Sequence, residues 1–182
     1  MNESFCKSDD VGKKGEDIVD RYFYSKGYTV YSTDDLNKDE SHPIDKIYIN
    51  KTNGRLILLD IKTKIVRTKY PDTGFPLRNY HEYLKLQKKN KLCVILMFID
   101  YIEGVCYGGK LNHLNLNRIV EHNGVQLQYP MVDGASTNDT IIYFPRCAMN
   151  VYFKLTPNEI ADIKESSTEL ENYRKPEDGA VK

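Results

Sequence analysis

Apolar and polar positions follow several distinct rhythms along this chain. From Lys13 to Lys26, Ile18, Val19, Tyr22 and Phe23 recur at helical spacing, and Gly27 suits the left-handed position just past a helix end. Tyr28 to Ser32 reads as a strand, followed by an acidic loop carrying Asp34, Asp35, Asp39 and Glu40. Two more strands, near Ile44–Ile49 and Arg55–Lys62, flank Asn53-Gly54, whose residues both tolerate positive φ and so predict a hairpin. Leu56 to Leu59 is an unbroken apolar run, the pattern of a central strand buried on both faces. Lys69 to Arg78 holds Pro71, Gly74 and Pro76 and reads as a loop.

Helical spacing returns from Asn79 to Asn90 through Tyr80, Tyr83, Leu84 and Gln87, with the two tyrosines read as packing residues. Leu92 to Ile99 is a buried strand, and short strands follow at Val105–Tyr107, Val125–Tyr129, Thr140–Phe144 and Val151–Leu155. A short helix is expected within Asn112–Val120. Thr156-Pro157-Asn158-Glu159 is a helix start: threonine at the N-cap, proline at N1, glutamate at N3, predicting a helix to about Glu171. The order α-β-β-β-α-β, with extra strands and a helix after it, predicts an α/β (α+β) fold: a mixed sheet flanked by helices. One domain over residues 1–174 with a frayed tail, 175–182, fits the 182-residue length.

Net charge is zero, but it is unevenly spread. From Ile61 to Lys91 the basic residues are Lys62, Lys64, Arg67, Lys69, Arg78, Lys85, Lys88, Lys89 and Lys91, opposed by Asp72 and Glu82 alone. Such an excess is the footprint expected for phosphate contact, most of all at Lys64, Arg67 and Lys69, which continue from the hairpin strand. Lys88, Lys89 and Lys91 read equally well as a solvated helix face. No apolar run is long enough to cross a membrane, and the opening MNESFCKSDD lacks the layout of a secretory leader. Cys6, Cys93, Cys106 and Cys147 are scattered, which predicts free thiols in a reducing cytoplasm and no zinc site. His42, His81, His113 and His122 are isolated, and Gly108-Gly109 reads as a turn without a phosphate-loop pattern.

The hairpin gathers chemistry. If Asn53 and Gly54 are its two central residues, Asp45 falls opposite Lys62. A four-residue loop, Lys51 to Gly54, puts Asp45 opposite Asp60 instead. Residues at i and i+2 share a strand face, so either loop sets Asp45, Asp60 and Lys62 together. A three-residue loop would separate them, because a one-residue slip flips a strand. Opposed carboxylates about 5 Å apart at Cβ suit a hard cation such as Mg²⁺, held through oxygen. A charged pair ending a buried strand must be solvated, paired or used.

Pro43-Ile44-Asp45 followed by Asp60-Ile61-Lys62 resembles the signature of the PD-(D/E)XK nuclease superfamily, which includes restriction endonucleases and Holliday junction resolvases. Ile44 separates Pro43 from Asp45, where the named motif has them adjacent; Asp60 in place of glutamate lies within the motif. Gly12-Lys13-Lys14-Gly15-Glu16 resembles the helix opening of archaeal-type resolvases, and Glu16 matches the glutamate contributed there. The resemblance covers roughly residues 12 to 100. It implies a restriction endonuclease-like core and a metal-dependent DNA endonuclease of the kind phages and mobile elements encode. It also implies Mg²⁺, or Mn²⁺ in its place, on Asp45, Asp60, the Ile61 carbonyl and Glu16, with Lys62 orienting or deprotonating water. Lys85 or Gln87 would face the site from the following helix. A resolvase-like or restriction-like enzyme normally needs two active sites, so a homodimer is the corresponding assembly. The competing expectations are an inert nucleic-acid-binding module on the same scaffold and a tyrosine-rich protein-interaction domain.

Overall fold

The structure, a computed structural model, describes residues 3–32, 46–64, 70–133 and 140–174, with side chains described within 10–167 of these. The chain builds a six-stranded mixed sheet with helices on both faces. Helix α1 (Glu3–Ser25) leads into β1 (Tyr28–Ser32), β2 (Lys46–Asn50) and β3 (Leu56–Lys64). β4 (Asp72–Pro76), α2 (Leu77–Asn90), β5 (Cys93–Asp100) and β6 (Val105–Lys110) follow. The strand order of the large sheet is β1-β2-β3-β5-β6-β11, where β11 is Asn150–Lys154. Among the described residues, the central pair β3–β5 is parallel and the other ladders of this sheet are antiparallel. A parallel pair needs a long crossover, and α2 supplies it.

The predicted order of elements is therefore present, with β4 inserted before α2. The residues read as a proline-rich loop form that strand because β10 (Ile141–Pro145) pairs with it and β9 (Met131–Asp133) pairs with β10. No local pattern announces a partner some seventy positions later. Gly74 is required at that ladder, since a Cβ there would lie 2.6 Å from Ile141 and 2.8 Å from Tyr143. The segment expected to hold one short helix splits into α3 (Leu111–Leu114) and β7 (Arg118–His122), which pairs with β8 (Val125–Tyr129). Gly108-Gly109 is not a turn but part of β6, where a Cβ on Gly108 would sit 2.4 Å from the Leu96 carbonyl oxygen.

Period-two alternation along β3 divides the core in two. Ile57, Leu59 and Ile61 pack with Ile18, Val19 and Phe23 of α1, and with Ile163 of α4 (Pro157–Arg174). Leu58 faces the other way, toward Tyr80 and Tyr83 of α2, Phe75 of β4 and Phe144 of β10. The capping box forms as expected: Thr156 N donates to Glu159 Oε2 at 2.8 Å and Glu159 N to Thr156 Oγ1 at 3.3 Å.

Helix α1 corrects one expectation. It starts at Glu3, about two and a half turns before the Gly12–Glu16 stretch taken as its opening, so Glu16 lies mid-helix rather than at the positive end. Glycine inside a helix costs up to about 1 kcal/mol, but Gly15 answers a packing need. A Cβ there would stand 1.9 Å from Thr63 Oγ1, so the residue lets α1 lie directly on β3.

Candidate active site

The hairpin settles its register through the loop. Asn50 N donates to the Arg55 carbonyl at 2.9 Å, and Gly54, at φ 67°, donates its N–H to the Asn50 carbonyl at 2.8 Å. The Asn50 side chain accepts from Thr52 N and Asn53 N at 2.9 and 3.1 Å. The loop thus spans four residues, Lys51 to Gly54, and Lys46 pairs with Leu59. The two-residue turn is not formed, because the Asn50 side chain organises the wider loop. Asp45, Arg67 and Lys69 lie outside the described residues.

Asp60, Lys62 and Lys64 occupy successive positions on the β3 face that looks toward α2 and β4. Asp60 is only 2% exposed, on a strand flanked by β2 and β5. Its Oδ1 lies 2.9 Å from Lys62 Nζ, and its Oδ2 accepts a hydrogen bond from the Tyr83 hydroxyl. The Lys62 ammonium stands 5.8 Å from the centroid of the Phe75 ring, within cation–π range. Lys64 Nζ donates to the Gly74 carbonyl. Burial holds the Lys64 amine down at about 8; the neighbouring Lys62 charge adds to that, and Asp60 partly offsets it. With both lysines charged, the three side chains carry one net positive charge inside a partly closed space.

Glu16 stands elsewhere. It is on α1, against the opposite face of the sheet, where its Oε2 meets Lys46 Nζ at 3.1 Å. Lys46 also bonds Asp20 Oδ2 at 2.7 Å, and the buried Tyr48 hydroxyl donates to Asp20 Oδ1. Burial acts to lower the Lys46 pKa, but the Asp20 bond and the Asp20 and Glu16 charges raise it overall. Burial, reinforced by Asp20, drives the Tyr48 phenol far above its usual range. The convergence of Glu16 with Asp60 and Lys62 is thus not present: α1 continues past Gly15 along the far face of the sheet, and Lys46 takes up the carboxylate.

The helix residues divide as well. Arg78, Lys85 and Lys88, with His81, Glu82 and Leu84, line an open groove of about 460 Å³ on α2. Lys85 bonds Glu82 at 2.8 Å there, so it does not point into the Asp60 cluster. Gln87 is half-buried one turn beyond Tyr83, its Oε1 without a hydrogen-bond partner among the described residues. Asp72, one of the two acids counted against the basic run, is fully buried and accepts a 2.7 Å bond from Tyr129. It therefore leaves Glu82 as the exposed acid of that run.

Three parts of the site escape a reading of the sequence: Tyr83, Phe75 and the Gly74 carbonyl. Tyr83 has the helical spacing of a packing residue, and nothing local to it signals a carboxylate partner. Phe75 and Gly74 belong to β4, whose position depends on β10. Among the described residues, no three of His, Cys, Asp and Glu gather as a metal ion would require. No helix among them is long and apolar enough to span a membrane.

No family model matches the chain, and no curated protein does. Among solved structures, the chain is similar to Hjc of Archaeoglobus fulgidus, a Holliday junction resolvase from an archaeal hyperthermophile. The match covers 75% of this chain and 85% of that one, at 6% identity and a TM-score of 0.45. A likeness that distant carries no weight for activity.

Proposed function

We propose that the β3 face bearing Asp60, Lys62 and Lys64 is the active site of a nuclease that hydrolyses DNA phosphodiester bonds with a divalent cation. The observation that supports this most is the buried Asp60 carboxylate paired with the partly exposed Lys62, with Lys64 following on the same face of the strand. Lys64 is an ammonium group beyond that ion pair and would be available to a phosphate, while a divalent cation would offset the acids. The donor chemistry suits a hard cation: Asp60 and the Ile61 carbonyl offer oxygen, and a β2 strand continuing its register by one residue would set Asp45 across from Asp60. Mg²⁺, or Mn²⁺ in its place, would polarise the scissile phosphate and acidify a bound water. Glu16, on the other face of the sheet with Lys46, is not part of this set.

The protein's own groups do the rest. Lys62, turning from Asp60 toward substrate, would donate from Nζ to a phosphate oxygen and orient the attacking water. Lys64, Arg78 and Lys85, with Arg67 and Lys69, would bind backbone phosphates, with Gln87 a neutral contact. Their affinity for DNA should fall steeply as salt rises. Cutting two strands at one place needs two such sites, so a homodimer belongs to the proposal.

A second reading has its own support. Asp60 Oδ2 is taken by Tyr83 and Oδ1 is ion-paired with Lys62, and no three-ligand cluster forms among the described residues, which favours a binding module that no longer cuts. Supercoiled, linear and branched DNA incubated with Mg²⁺, Mn²⁺ or EDTA separates the two. Metal-dependent cutting that disappears in Lys62→Ala supports the nuclease. Salt-sensitive binding without cutting supports the module.

A further inference from the structure

Asp60, Tyr83, Phe75 and Lys62 form a closed circuit. Tyr83, 1% exposed, donates its hydroxyl proton to Asp60 Oδ2. Its ring lies 5.9 Å from that of Phe75, centroid to centroid, and Phe75 in turn lies under Lys62, which meets Asp60 Oδ1. Tyr83 on α2 thus holds Oδ2, while Oδ1, buried and 2.9 Å from Lys62 Nζ, has no hydrogen bond among the described residues. An ionised carboxylate has about four lone-pair sites, and the Tyr83 bond occupies one. That bond fixes the direction of the others.

Tyr80, one turn earlier on the same helix, is a natural contrast. It is equally inward, and its hydroxyl donates to Asn115 Oδ1, a neutral amide. Burial raises its pKa without a charged partner. Packing alone asks no more of Tyr83 than of Tyr80, yet Tyr83 meets the one buried carboxylate on this face of β3.

We propose that Tyr83 is a positioning residue for Asp60: its hydroxyl fixes the carboxylate so that the remaining lone pairs present to a divalent cation. The inference rests on the nuclease reading and names a residue that reading does not use. Groups that orient a ligating carboxylate are usually worth roughly 10- to 100-fold in metal affinity.

The test is calorimetric titration of Mn²⁺ into the full-length protein, its Tyr83→Phe and Tyr80→Phe variants, and Tyr83→His, with thermal melts to verify folding. Tyr83→Phe should weaken Mn²⁺ binding by about tenfold or more. Tyr80→Phe should leave it unchanged, and Tyr83→His, which restores a ring donor, should recover part of the loss. With saturating Mn²⁺, cutting by Tyr83→Phe should return toward the wild-type rate with KM for DNA unaltered. Wild-type Mn²⁺ affinity in a folded Tyr83→Phe overturns the proposal, as does an equal loss in Tyr80→Phe. If Tyr83→Phe does not fold, the comparison passes to Tyr83→His, where affinity no better than that of Asp60→Asn overturns it. A wild-type protein that neither binds Mn²⁺ nor cuts removes both the nuclease reading and this one. A wild-type protein that cuts while Tyr83→Phe binds Mn²⁺ equally well removes this one alone.

Discussion

The two faces of the central sheet carry nearly the same side-chain types and arrange them to opposite effect. On the α1 face, Glu16, Asp20, Lys46 and Tyr48 set two carboxylates against one lysine. On the α2 face, Asp60 stands with Lys62 and Tyr83, and Lys64 with the Gly74 carbonyl, while the buried Asp100 of β5 lies in register with Lys64 and accepts from the N–H groups of Ile102 and Glu103. The first cluster satisfies its ammonium twice over and ties α1 to β2, the behaviour of a brace. The second pairs its buried carboxylate with Lys62 and Tyr83 and turns Lys64 to a backbone carbonyl, so neither lysine is shared between two of the described carboxylates. The partners that hold each lysine, rather than the presence of acids and lysines as such, separate a structural cluster from a candidate site.

The sharpest way to break this comparison is Lys62. Lys62→Ala should lower DNA cutting by about two decades or more, equivalent to roughly 3 kcal/mol of barrier, in a nicking assay with Mg²⁺. Lys62→Met, which keeps the stem over Phe75, should lose as much activity while remaining closer to wild type in urea unfolding. If neither variant alters cutting, Lys62 has no catalytic meaning.

Next comes Tyr48→Phe on the brace. A buried hydrogen bond to a charged group is worth about 1.5–3 kcal/mol, so the urea midpoint should fall accordingly. Cutting per folded molecule should not change. An activity loss without a stability loss would move the α1 face into the site.

Lys64 sharpens the contrast through pH. Its pKa is about 8 when folded against an ordinary 10.5, so the unfolded chain binds the extra proton more readily between those values. Stability should therefore rise with pH across that window, and the burial penalty should be full below it. Lys64→Met should stabilise the protein by about 1–3 kcal/mol near neutrality, with the gain shrinking toward pH 10.5. Urea melts across the window read this directly, and DNA affinity should fall in the same variant.

The smallest effect is expected at Glu16. Lys46 retains Asp20 when Glu16 is neutral, so Glu16→Gln should change stability by less than about 1 kcal/mol. Cutting should fall far less than in Lys62→Ala. A loss of the same size would place the reaction on the α1 face instead.

The sequence by itself determined the elements with strong local signals. The apolar run at Leu56–Leu59 became an interior strand, the Thr156–Glu159 box capped its helix, and period-two alternation placed Asp60, Lys62 and Lys64 on one face. Each of these depends on neighbours within a few residues, where spacing alone decides direction. Only tertiary structure decided which helix that face would meet. The parallel β3–β5 pairing lays α2 across Asp60 and brings Tyr83 to it. The β4–β10 ladder holds Phe75 and Gly74 against the two lysines. The close contact of Gly15 with Thr63 lets α1 run on along the far face and leaves Glu16 with Lys46. These contacts join residues far apart in the chain, and their energy comes from packing that no local pattern records.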